Sequence, residues 1–282
     1  MARNRASIAV LALVIAAGAA AADATAGRAA VVWRAGTPIA YHGGPVMAGD
    51  TQVFIIWYGN WTGAGSLTIV PTFLGNLAPS PYYNINTTYT GSNGRVKNEL
   101  DFGGAITDHY SHGSHLSDAD VLAVVTAAIT SGKLPNTVDG IYFVVTSVDV
   151  TETSGFCTQY CGWHDFAPIG GTEIKYSFLG DPQQCPSACE AIPGNDPNGD
   201  PTADAIIGRM AFEVNVTVTD PQFTGWFDAS GAENADKCGW SLGTTYRTAN
   251  GSLANVHLGS HDYLLPENWV NVSPGRCALH YP

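Results

Sequence analysis

Six cysteines and a scatter of histidines carry the first chemical options of this chain. Cys157 and Cys161 have three residues between them, and so do Cys185 and Cys189. Two such pairs fit a zinc site in which four thiolates hold one ion, or a set of disulfides. Cys238 and Cys277 remain and are expected to join each other. Six cysteines admit 15 pairings, so spacing leaves the first four partners open. The other metal-capable groups are weaker. His109, His112 and His115 recur every three residues, which on a helix is one face, but Gly113 and its serine neighbours favour a surface loop. His257 and His261 are four apart, and Gly259 between them again favours a loop. Asp196-Pro197-Asn198-Gly199-Asp200 has the acids of a calcium loop. Its glycine precedes the last acid, however, and no glutamate closes the motif, so it reads as a polar turn feeding a helix. No G-x-S-x-G, P-loop or dinucleotide fingerprint occurs.

The compartment decides between the thiol options. Arg3 and Arg5 precede an uncharged apolar run over residues 8–17, followed by small residues. That order is a cleavable secretory signal over residues 1–22; its strongly apolar part is too short for a span of about 20 residues. No later segment is apolar enough to cross a membrane, so no span is expected after cleavage. Exported thiols are normally paired, which favours three bridges over zinc. Five N-x-[ST] sequons, at Asn60, Asn86, Asn215, Asn250 and Asn271, read as glycan acceptors on exposed loops of a eukaryotic secreted chain. Cleavage after Ala22 leaves 10 basic residues against 24 acidic ones. That balance disfavours nucleic acid and anionic lipid as partners, because both need basic patches. The chain is 45% hydrophobic and only 13% charged, the balance of a folded protein.

Certain elements must position any site. Residues 23–40, rich in alanine and glycine, read as a flexible mature N-terminus, and residues 41–282 as one domain. Residues 51–60 read as a strand that is apolar on both faces, hence central and buried. Residues 66–76 suggest a helix that Pro71 limits to a first turn or breaks. Residues 78–96 read as loop or hairpin. Residues 117–131 form the clearest helix, with Ser117 and Asp120 as a capping box and Gly132 as its stop. Residues 140–147 make a second buried strand and residues 173–178 a third. Asp200-Pro201 opens a further helix. Downstream, Phe212, Val214, Val216 and Val218 alternate with polar residues as a strand would. The order implies a single layered α/β (α+β) domain with a mixed central sheet and flanking helices.

Several blocks carry a family resemblance. Gly155-Phe156-Cys157-Thr158-Gln159-Tyr160-Cys161-Gly162-Trp163-His164 and Gln184-Cys185-Pro186-Ser187-Ala188-Cys189 are two of them. Thr219-Asp220-Pro221, Ala235-Asp236-Lys237-Cys238 and Asp262-Tyr263-Leu264-Leu265-Pro266 follow in order, and Tyr41-His42-Gly43-Gly44-Pro45 and Ile56-Trp57-Tyr58-Gly59-Asn60 precede them. Over residues 41–282 the chain resembles the EXORDIUM-like, or phosphate-induced, proteins. The resemblance implies an extracellular, apoplastic or cell-wall protein linked to plant growth and cell expansion.

Some microbial relatives resemble zincin-like peptidases with H-E-x-x-E on a helix ahead of T-D-P. Ligands four apart on a helix share a face and can hold one ion, while the adjacent acid serves as general base on the bound water. By that resemblance Glu213 occupies the general-base position. Phe212 and Val216 replace both ligands, and neither can bind zinc. His164, Glu233 and Asp236 are the remaining metal candidates. A catalytic zinc site needs three protein ligands, so the expectation is a zincin-like domain with a vestigial Glu213, no metal cofactor and no catalysis. Two rivals stand beside it: a metal-dependent hydrolase with atypical ligands, and a wall-carbohydrate binder. For the latter, Trp57, Trp61, Tyr82 and Tyr83 would either stack on sugars or fill the core.

Overall fold

The structure is a computed structural model that describes residues 38–282. The expected secretory signal, 1–22, lies outside the described residues, as does most of the segment expected to be flexible. Its described end is ordered: Ile39 is buried and Ala40 pairs with Phe227.

Strand β1 (Thr51–Tyr58) is buried along its length. Its side chains alternate between two cores: Val53, Ile55 and Trp57 feed one, and Phe54, Ile56 and Tyr58 the other. Two covered faces require two helical layers. Helix α1 (Ser66–Leu77) lies on the first. It runs through Pro71 rather than stopping there. Proline cannot bond the carbonyl of Leu67, four residues back. Leu67 is 38% exposed, on the solvent side of the helix.

Strand β2 (Leu100–Asp108) pairs parallel with β1 at one sheet edge. Helix α2 (Asp118–Thr130) follows, with the expected capping box of Ser117 and Asp120, and covers the opposite face through Val121, Val124 and Val125. Strand β3 (Gly140–Thr146) is entirely buried. Strands β4 (Gly162–Ile169) and β5 (Thr172–Leu179) form a hairpin turned by Gly170 and Gly171, both at positive φ. Two left-handed residues suit the tight turn that matches strand twist. The sheet order is β2-β1-β3-β5-β4, with β4 antiparallel at the far edge and the other four parallel.

Helix α3 (Pro201–Thr219) resolves the ambiguity of its sequence. Asp200 caps it through the Ala203 amide at 3.0 Å. Fourteen of its side chains from Ala203 onward are buried, because sheet, α1 and the C-terminal segment surround the helix. Ile206, Met210, Val214 and Val218 pack with α1 residues Val70, Phe73 and Leu74. Beyond α3 the chain makes short ribbons. Hairpin β6 (Val256–Leu258) and β7 (His261–Tyr263) turns at Gly259, so His257 and His261 sit on strands and not in the expected loop. Strands β8 (Asn268–Val270) and β9 (Arg276–Ala278) pair next.

Three disulfides tie this architecture. Cys157 joins Cys185 and Cys161 joins Cys189, so neither C-x3-C pair closes on itself. Cys238 joins Cys277. No described helix is long and apolar enough to cross a membrane.

Candidate functional site

The sheet edge at β4 faces α3, and there the structure gathers titratable groups. His164 on β4 is buried. Its Nδ1 lies 3.9 Å from Oε2 of Glu213 on α3, and its Nε2 lies 3.8 Å from Oε1 of Glu233. Nε2 also approaches the Asp220 carbonyl at 3.3 Å. Asp220 ends α3, and its carboxylate accepts the Thr224 and Gly225 amides at 2.7 and 2.6 Å. The turn so formed holds Phe223 at φ +56° with its ring 4.8 Å from the imidazole. A bulky side chain in the left-handed region is uncommon and needs its surroundings to hold it.

Arg209 stands one helical turn before Glu213, so the two share a face. It is buried, with its guanidinium 5.1 Å from the Phe212 ring centre and 3.3 Å from that of Trp240. Burial lowers its pKa, and attraction to Glu213 and Asp236 works against that. Burial pushes Glu213 up, opposed by Arg209. Glu233 also rises, through burial and then the charges of Asp236, Asp220 and Glu213. His164 is pushed down to about 4 by burial. Neutral imidazole, protonated carboxyls and one guanidinium therefore suit this interior better than ions. Oε1 of Glu233 is buried without a hydrogen bond.

The predicted metal candidates do not all converge. His164 and Glu233 meet, but Asp236 is exposed and its carboxylate accepts the Glu233 amide at 2.9 Å. Phe212 and Val216 offer a ring and an isopropyl group. Among the described residues no group of three or more His, Cys, Asp or Glu side chains is arranged to hold a metal ion. The other motifs are local. His112 bonds Asp120 and His115 bonds Thr151, so these two histidines face different partners. Asp200 caps α3 and Asn198 bonds Asp204, which makes residues 196–200 a helix-entry turn.

Burial corrects one sequence expectation and decides another that the sequence leaves open. Asn86 and Asn215 do not sit on exposed loops; they are buried and joined by a 2.8 Å bond. Asn234 and Asn268 reach the Asn86 oxygen at 3.2 and 3.0 Å, and Tyr82 accepts from Asn215 at 3.1 Å. A glycan has no room in this network. Asn60 and Asn250 are exposed and Asn271 is half-buried. Trp57, Trp61, Tyr82 and Tyr83 are all buried, so none can stack on a sugar.

An α/β domain with a disulfide-tied sheet edge and a buried acid–arginine centre is thus the class of protein defined here. Residues 39–263 match the family model described as the phosphate-induced protein 1 conserved region. The chain belongs to this EXORDIUM-like, phosphate-induced protein family. It is 30% identical to EXORDIUM-like 3 of Arabidopsis thaliana, over 78% of this chain and 74% of the relative. EXORDIUM-like 5 of the same plant is 28% identical, over 81% and 74%. The protein PHOSPHATE-INDUCED 1 of Nicotiana tabacum is 23% identical, over 80% and 83%. No solved structure matches the chain.

Proposed function

We propose that this is a secreted extracellular or cell-wall protein that acts in growth or cell expansion without catalysing a reaction. Its zincin-like helix carries a degenerate metal centre in which Glu213 is vestigial. The observation that carries this reading is the company Glu213 keeps. Arg209 sits one turn away, while Phe212 and Val216 occupy the ligand positions. A divalent cation would meet a fixed positive charge and two apolar side chains there. Three disulfides and the N-terminal signal pattern support the extracellular setting. Paired with the family, that setting supports the wall.

Purification of the secreted protein and elemental analysis test the centre. No stoichiometric zinc is expected, and no peptidase activity. One tightly bound zinc per chain, lost on replacing His164 or Glu233, would favour the rival hydrolase with atypical ligands. A tagged full-length chain expressed in plant cells tests the setting. It is expected in the wall fraction with Asp23 as its first residue; an intracellular, uncleaved chain would refute it.

A further inference from the structure

The C-terminal ribbons border an open cleft of about 460 Å³ that shares no lining residue with the acid centre. Its volume falls in the range of small-molecule sites, roughly 300–1,000 Å³. Pro81, Leu258 and Leu279 supply apolar wall. The polar lining is unusual for what it leaves unused. His257 is fixed through Nδ1 by Asp262 at 2.8 Å, and the Tyr246 hydroxyl donates to the same oxygen at 2.7 Å. Its Nε2 has no partner among the described residues. Glu267 accepts the Ser241 hydroxyl on Oε2 at 2.5 Å, which leaves Oε1 without a hydrogen bond. The side chains of Thr244 and His280 also line the cleft and bond no described residue.

We propose that this cleft binds a neutral saccharide. Carboxylate, imidazole and hydroxyl groups around the cleft match sugar hydroxyls, which both donate and accept. The aliphatic wall suits the C–H face of a pyranose. No lysine or arginine lines the cleft, and Glu267 with nearby Asp262 makes it acidic, so phosphorylated or carboxylated ligands are repelled. An open, half-polar cleft is a poor site for a lipid. Two histidines and a glutamate raise zinc as a competitor, but they are not arranged to hold an ion. That the sugar comes from a cell wall rests on the extracellular reading above; the binding chemistry does not.

The test is an NMR titration of the full secreted protein with glucose, cellobiose and xylobiose, reading the imidazole resonances. Glucose 6-phosphate and zinc chloride are separate arms. His257 and His280 are expected to shift with a neutral sugar and not with the phosphate ester. Glu267→Gln should weaken binding about tenfold or more, the effect of losing a charged hydrogen-bond partner. Thr244→Val, an exposed change that spares the fold, should weaken it several-fold. Silence with every neutral sugar overturns the proposal, whatever the protein's location. So does a response to zinc alone, or unchanged affinity in both variants.

Discussion

Arg209 and Glu213 set the charge balance of the interior around α3. Each is buried, and burial pushes both toward their neutral forms while their mutual attraction opposes that push. Replacing Arg209 by leucine removes the guanidinium that opposes the upward push on Glu213, together with its contacts on the Phe212 and Trp240 rings. A loss of about 3 kcal/mol is expected, read by denaturant unfolding at neutral pH. The double change Arg209→Met with Glu213→Leu should recover most of it, since an apolar pair refills the space and leaves neither a charge nor a carboxyl buried. Proton linkage gives a second expectation. Glu213 and Glu233 hold their protons to higher pH in the native state than when unfolded. The native protein then binds more protons across that window, so stability falls as pH rises through neutrality. His164, held down to about 4 from 6.5, acts with the opposite sign and only below its ordinary range. Above pH 6.5 the carboxyls therefore set the slope, and Glu213→Gln should flatten it in thermal melts across pH 6.5–8.5. The sequence singled out Glu213 and His164 only through family blocks. Arg209 falls in the part that reads as a helix, but Glu213 falls in the alternating stretch from Phe212, and the face the two share exists only if the helix continues through it.

At the scale of elements, legibility followed the regularity of the side-chain pattern. Strands β1 and β3 are apolar throughout and α2 has its caps, so all three were readable. Strand β2 was not, and its cause is visible. The pairing of β1 and β2 slips between Val53 and Phe54, with Gly103 as the extra residue. A slip of one residue inverts the alternation on which strand recognition depends. A Cβ at Gly103 would stand 2.4 Å from the Phe54 ring. Gly103→Ala should therefore cost about 1–3 kcal/mol, measurable by chemical denaturation. Strand β4 was missed because it is half-exposed and carries Pro168. The asparagine network was missed for another reason: asparagine reads as a turn former, and nothing local says that four of them will be buried together. Asn234 bonds both Asn86 and the Asn215 carbonyl. Asn234→Ala leaves both acceptors short, with an expected loss of about 1–3 kcal/mol and faster amide exchange in the C-terminal ribbons.

For the whole molecule, the disulfides decide what the sheet edge can withstand. Each of the two near β4 spans 28 residues. Loops of that size are worth roughly 3–4 kcal/mol each through the unfolded chain. Replacing Cys157 and Cys185 by serine should lower the melting temperature and admit protease to residues 155–190 first. The two bridges also run crosswise between the C-x3-C pairs, and that has a bearing on biogenesis. Cysteines four apart meet sooner in an unfolded chain than cysteines 28 apart, because short loops close at lower entropic cost. Early oxidation is thus biased toward the wrong partners, 157 with 161 and 185 with 189. Newly made chains will need a thiol-exchange catalyst to reach the native pairing. In a host without one, yield will fail before stability does.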